Sequence, residues 1–419
     1  MPSGGIRADR RVAPDGALLL TGATGFVGME VLARFLERTD RRIFALVRAE
    51  DERSADRRMR STLATLFGRG DAFADRVVAL PGDIESDRLG MGDESRDEVA
   101  SQVRDIIHCA ASVSFSLPLE QARQINVTGT ERLLQFAELC QQRGGLRRFA
   151  YVSTAYVAGT HAGEFREDEL EVGQGFRNSY ERSKFEAERL VRSHGDRLPI
   201  QIFRPSIVVG EQRTGWTTSF NVLYAPLKAF ARGAYRALPV RRSASVDVVP
   251  VDYVADAVFE LASRPVGDED ETYHLVAGRD ASTVGRLMDL SAGYFGRRAP
   301  RSLPPLLYRR LVHPLLLRRS SGKRRAALET SEVFFPYFSM DVRYDDRRAR
   351  GSLRRAGIEV PRIERYFDRL ARFAERSRWG RVVVSRARAE RELTATATER
   401  PLRRRRAEFR AGSSRRPQL

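Results

Sequence analysis

Residues 17–28 read ALLLTGATGFVG: an apolar run, then glycines at 22, 25 and 28, leading into the helical pattern Val27–Arg38. A strand that runs directly into a glycine-rich turn and opens a helix is the context in which this spacing predicts a dinucleotide site. The glycines permit a tight turn and close backbone approach to a pyrophosphate, whose charge rests on the helix N-terminus. The expected contacts are Thr21, Gly22, Thr24, Gly25, Phe26, Val27 and Gly28.

Working outward, further apolar runs follow at Arg42–Val47, Val77–Leu80, Asp105–Cys109, Arg148–Ser153 and Ile200–Arg204. Amphipathic stretches separate them, including about 120–142 and Ser179–Ser193. This alternation predicts an α/β chain with a Rossmann-type, doubly wound parallel sheet. It breaks near Pro205, where Trp216–Leu238 is apolar and basic with helical spacing. The expected organisation is a disordered leader at 1–15 and an NADP-binding domain at 16–280 with a substrate insertion at about 211–245. A mostly helical substrate region at 281–376 and a basic, disordered tail at 377–419 complete it.

Composition narrows the class. In 419 residues no run approaches the ~20 apolar residues of a membrane-spanning helix, and residues 1–16 lack the apolar run of a secretory signal. Two cysteines, Cys109 and Cys140, make no disulfide scaffold, so a cytoplasmic location is expected. The histidines at 108, 161, 194, 274 and 313 lack ligand spacing, and no metal is expected. Lys+Arg is 73 against 55 acids, a net of +18, and residues 377–419 hold 13 Arg and 4 Glu, or +9 of it. No nucleic-acid motif accompanies that tail, which suits peripheral contact with an anionic membrane. The apolar and basic stretch Leu303–Arg319 is interrupted by prolines, which favours ordinary packing.

Two further motifs carry chemistry. Only Lys184, Lys228 and Lys323 are lysines, and Lys184 closes the YxxxK sequence Tyr180–Lys184. That spacing puts phenol and ammonium on one helix face, where the ammonium is expected to lower the phenol's pKa for proton exchange with a carbonyl oxygen. Tyr151–Val157, YVSTAYV, ends a strand in hydroxyls, so Ser153 or Thr154 is placed to bond a substrate oxygen. At the end of the second strand stands Arg48, where an NAD-specific site wants an acid. A guanidinium there, with Arg58 as a second candidate, favours the 2′-phosphate of NADP(H).

The set TGATGFVG, HCAAS, INVTGT, YVSTAYV, YERSK and FRPSIVVG resembles the extended short-chain dehydrogenase/reductases over roughly residues 17–375. LVRA before Arg58-Met59, PGDI at 81–84, NSYERSKFEAERLV at 178–191 and DVVPVDYVADAV at 247–258 make it similar to the fatty acyl-CoA reductase and thioester reductase branch. The resemblance implies Thr154 and Tyr180 at the reacting oxygen, Lys184 at the nicotinamide ribose, and Asn126 supporting the site. It also implies Asp83 and Ile84 beside the adenine, Ala110 and Ala111 along the cleft, and Pro205, Ser206 and Ile207 beside the nicotinamide. The implied reaction is NADPH-dependent reduction of a fatty acyl thioester, on coenzyme A or an acyl-carrier protein, to an aldehyde or onward to an alcohol. Sugar-nucleotide epimerase or dehydratase chemistry, sterol dehydrogenase chemistry, and a non-catalytic NADP-binding protein are the alternatives. Cys109, before the alanines, reads as a buried strand residue rather than a nucleophile.

Overall fold

Leu18, Leu19 and Leu20 are fully buried although alternate strand residues point to opposite faces. Only a sheet covered on both sides buries every residue of a strand, which is why such strands read as unbroken apolar runs. In a computed structural model describing residues 16–220, 222–235, 237–265, 271–304, 340–395 and scattered positions between 307 and 337, that sheet is parallel and seven-stranded. Its strands are β1 (Ala17–Thr21), β2 (Ile43–Val47), β3 (Val77–Pro81), β4 (Val103–His108), β5 (Arg148–Val152), β6 (Ile200–Pro205) and β7 (Glu271–Leu275). Their spatial order is β7-β6-β5-β4-β1-β2-β3. The order reverses at β1, so a crevice opens beyond the C-terminal ends of β1 and β4, where such sheets bind ligands.

Helices α1 (Phe26–Arg38) and α2 (Glu52–Phe67) follow β1 and β2, and α3 (Asp93–Gln102) precedes β4. Between β4 and β5 run α4 (Leu119–Arg123) and α5 (Gly129–Gly144); α6 (Ser179–Arg192) leads into β6. Beyond β6 come α7 (Tyr224–Ala231) and α8 (Val251–Ala262), and α9 (Val284–Phe295) follows β7. Leu18, Leu20, Ala45 and Phe203 pack on α1, α2 and α8, whereas Leu19, Ile106, Phe149 and Tyr151 pack on α3, α5 and α6. Burial of each large apolar side chain contributes about 1.5–3 kcal/mol.

Among the described residues of Trp216–Leu238 helix is confined to α7, a correction to the helical spacing read there, and the region 281–376, expected to be mostly helical, also carries short strands. Ser282–Thr283 pairs with Ser245–Val246, Arg301–Ser302 with Ala237–Leu238, and Val342–Tyr344 with Gly163–Phe165. Backbone groups of these long connections bond to one another across the sequence, a pairing that helical periodicity does not reveal.

The basic segment from Ser377 is also more than a tail. Its first part packs: Val384 is buried and its carbonyl accepts the Trp216 indole N–H at 2.8 Å. Arg386 pairs with the buried Glu30 of α1 at 3.2 Å and with Glu37. Charge composition concealed this because the acidic partners lie on α1, far off in sequence. The leader 1–15 and residues 396–419 lie outside the described residues, as do 305, 306, 309, 311 and 312 of Leu303–Arg319, where His313–Arg318 forms a short helix. Among the described residues no helix is long and apolar enough to cross a membrane. Arg386→Ala leaves Glu30 with Arg34 alone, and the urea midpoint is expected to fall by the equivalent of about 1–3 kcal/mol.

Candidate active site

The loop after β1 is shaped for close approach. Gly22 has φ +71°, and a Cβ there would lie 2.7 Å from the Ala110 nitrogen and the Cys109 carbonyl carbon. A Cβ on Gly28 would lie 2.1 Å from the Gly22 oxygen, so α1 sits directly on the turn. Gly25, the α1 N-cap, offers no capping side chain, and the first-turn N–H groups remain available to an anion. Thr24, Phe26 and Val27 are half-buried along this turn, and Thr21 Oγ1 accepts the Ala110 N–H at 3.2 Å. A tight turn, an uncapped helix start and an adjoining strand end fit a dinucleotide pyrophosphate.

At the end of β2, the exposed Arg48 lies 3.5 Å from Glu85 and 3.9 Å from Asp83. Arg58 of α2 donates to the Arg48 carbonyl, so both predicted arginines meet at one edge of the crevice. Asp83 accepts the Glu85 N–H at 3.0 Å, and the buried Ile84 packs under Gly129. On the far side, Ser206 donates to the buried Asp247 at 2.5 Å, between Pro205 and Ile207.

The second half of the site forms where α6 passes β5. Asn178 caps α6 by accepting the Glu181 N–H at 2.9 Å, while Glu181 accepts the Arg177 N–H at 2.9 Å and the Tyr337 hydroxyl at 2.7 Å. This fixes the first turn, which carries Tyr180. Thr154 Oγ1 donates to the Pro205 carbonyl at 3.4 Å and accepts the Tyr156 N–H at 3.2 Å; burial pushes the Tyr180 phenol up to about 12, with the Thr154 hydroxyl opposing. Ser153 instead donates to Glu188 at 2.6 Å, within a fully buried Glu188–Arg204 pair. Of the two hydroxyls expected at the site, Thr154 faces Tyr180 and Ser153 belongs to the core.

Lys184 departs from expectation. Its Nζ donates to the Tyr151 hydroxyl at 2.7 Å and to the Val152 carbonyl at 3.0 Å, rather than pairing with Tyr180. Burial lowers its pKa to about 7, with Glu188 opposing. One helix face does carry both residues, but buried acceptors on β5 engage the amine.

Asn126 sits in a wide helical turn, Gln124–Thr128, between α4 and α5. Its amide accepts the Ser112 N–H at 2.8 Å and donates to the Ser112 carbonyl at 3.1 Å and Ser183 Oγ at 2.9 Å. It thereby ties the segment after Ala110 and Ala111 to α6; such turns recur at functional positions. Burial pushes the Cys109 thiol up to about 12, against nucleophilic use. Sequence reasoning missed His108, Thr130 and Tyr151, all buried here; their signal was a polar residue at or near the end of an apolar strand or the start of a helix. Among the described residues no cluster of potential metal ligands occurs.

Gly22→Ala forces a Cβ into the Cys109–Ala110 backbone at a left-handed position. Dinucleotide affinity, read by nicotinamide fluorescence, is expected to fall about 10-fold or more, in line with ~1–3 kcal/mol of backbone strain.

Residues 20–258 match the NAD-binding family described as male sterility protein. A non-canonical nonribosomal peptide synthetase, FrzA of Cladobotryum sp, is 33% identical over 329 residues, 75% of this chain and 31% of that protein. Fatty acyl-CoA reductase 1 of Arabidopsis thaliana is 25% identical over 67% of this chain and 70% of its own length. The chain thus spans about a third of that synthetase. Among solved structures, the terminal R domain of the myxalamid PKS-NRPS biosynthetic pathway superposes with a TM-score of 0.74 at 29% identity, covering 87% of this chain and 92% of that one. With more than half of its length matched, and with the sheet order and the crevice described above, the chain belongs to the male sterility protein family of NAD-binding domains, within the extended short-chain dehydrogenase/reductases.

Proposed function

We propose that this protein reduces acyl thioesters with NADPH. The observation that carries the reading is an apolar cavity lined by Tyr156, Ile207, Leu227, Phe230, Met288 and Tyr344, among others. Its lining includes Tyr156, two residues along the chain from Thr154, and residues of α7 and α9. An apolar channel of this kind suits an acyl chain better than a sugar. On α7, Lys228 lies close to Arg232 and Arg381, and its pKa is lowered by partial burial and by those two cations. Such a group favours an anionic carrier, either the phosphates of coenzyme A or a phosphopantetheine on a carrier protein.

Bound NADPH would supply a hydride to the thioester carbonyl carbon. Tyr180, oriented by Thr154, donates a hydrogen bond to the carbonyl oxygen and then its proton as negative charge develops there. The resulting hemithioacetal breaks its C–S bond, releasing thiol and aldehyde. Lys184 holds the cofactor ribose, and Asn126 keeps α6 in register with the cleft. Arg48 and Arg58 hold the 2′-phosphate. The synthetase relative and an archaeal thiolation-reductase di-domain, with a TM-score of 0.69 at 21% identity, make a carrier-protein thioester a substrate to test beside acyl-CoA.

The decisive assay follows NADPH consumption with a panel of acyl-CoAs, acyl-carrier proteins, sterols and sugar nucleotides, with products identified. Aldehyde formation from thioesters alone supports the reading; turnover of a sugar nucleotide or sterol in their place rejects it. Tyr180→Phe is expected to cut turnover by about 100-fold or more with dinucleotide affinity nearly unchanged; activity within threefold of the parent removes Tyr180 as the proton donor. Arg48→Asp is expected to raise the KM for NADPH far more than that for NADH. Equal increases would place the phosphate elsewhere.

A further inference from the structure

Three buried polar residues stand side by side across the C-terminal edge of the sheet. The register pairs Thr21 with His108 between β1 and β4, and His108 with Tyr151 between β4 and β5. Cross-strand partners share a face, here the one covered by α5 and α6, which add Thr130 and Lys184.

The hydrogens in this row can be assigned. Thr130 Oγ1 donates its single hydrogen to the Asn126 carbonyl at 2.6 Å. His108 Nε2, 3.1 Å from Thr130 Oγ1, must then be the donor, which leaves Nδ1 as an acceptor. Thr21 Oγ1 donates to that Nδ1 at 2.7 Å while its oxygen takes the Ala110 N–H. Burial, with the nearby Lys184 charge, lowers the His108 pKa to about 3, so the ring is neutral as this pattern requires. The Tyr151 ring stands beside that imidazole, centroids 5.6 Å apart. The Tyr151 phenol oxygen accepts from the Lys184 amine at 2.7 Å.

We propose that Tyr151 is a positioning residue for Lys184, its phenol oxygen accepting from the amine together with the Val152 carbonyl so that the ammonium is held charged and in place for the cofactor. The Tyr151 ring strengthens the hold, its centroid 4.2 Å from Nζ. The other titratable groups around the amine are Glu188 and Tyr180 on α6 and Cys109 and His108 at the end of β4. Of these Glu188 carries charge, and it is engaged by Arg204. The inference rests on the proposed function only in placing Lys184 at the cofactor.

The sign of the effect follows. An acceptor hydrogen-bonded to an ammonium favours the charged form, so its loss lowers the lysine pKa. Dinucleotide binding that needs the ammonium weakens as pH rises through that pKa, and in Tyr151→Phe it weakens at lower pH.

The test measures the Kd of NADPH or NADH, whichever binds the parent more tightly, by nicotinamide fluorescence from pH 6 to 9. Tyr151→Phe is expected to move the alkaline rise in Kd down by about 1 pH unit. A Tyr151→Phe profile that overlays the parent, or is offset equally at every pH, overturns the proposal. Should Tyr151→Phe fail to fold, Tyr151→Met, which also lacks the phenol oxygen, decides: a downward shift of the alkaline rise supports it, and a profile that overlays the parent overturns it. Because binding needs no acyl substrate, failure of the thioester assay leaves this measurement decisive.

Discussion

The contact of Gly28 with the carbonyl of Gly22 sets the geometry on which the rest of the molecule depends. A Cβ at 28 would lie 2.1 Å from that oxygen, so α1 can rest on the turn after β1 only as this sequence allows. The same turn presses Gly22 against Cys109 and Ala110, which fixes the spacing of β1 and β4 at their C-terminal ends. With α1 seated, Arg34 reaches Asp256 of α8 at 2.7 Å, and Glu30 receives Arg386 from the far end of the described chain. The crevice, the helix above it and the packed segment after Ser377 therefore share one origin.

Around that contact the polypeptide separates attraction from chemistry. Buried charges are satisfied in pairs: Glu188, beside Lys184, with Arg204, and Glu30 with Arg34 and Arg386. Within the crevice the buried groups are neutral or poised. Tyr180 is held protonated by burial, His108 is neutral, and Lys184 sits with its pKa at about 7.

Much of this was legible in residue order because the underlying constraints are local. Strands buried on both faces must be apolar throughout, so LLL at 18–20 and II at 106–107 announced the sheet. The glycine spacing and YxxxK are likewise set within one turn or one helix. Tyr151 was read for its strand and not for its hydroxyl, because its partners arrive from α5 and α6 through tertiary packing. His108 seemed a scattered histidine until the register set it beside Thr21. Pairing of Lys184 with Tyr180 was inferred from helix periodicity, which cannot tell that buried acceptors on β5 compete for the amine. Arg386 was one arginine among many until Glu30 and Glu37 came within reach.

The cavity wall has a further consequence. Apart from Tyr156, its lining comes from Ile207 onward, in pieces such as α7, α9 and the strand Val342–Tyr344. Thr154, Tyr180 and Lys184, by contrast, lie earlier in the chain. Cavity wall and crevice are thus inherited on separate stretches of polypeptide. Substitutions that widen, shorten or polarise the cavity can accumulate in the later stretch while the earlier one stays unchanged.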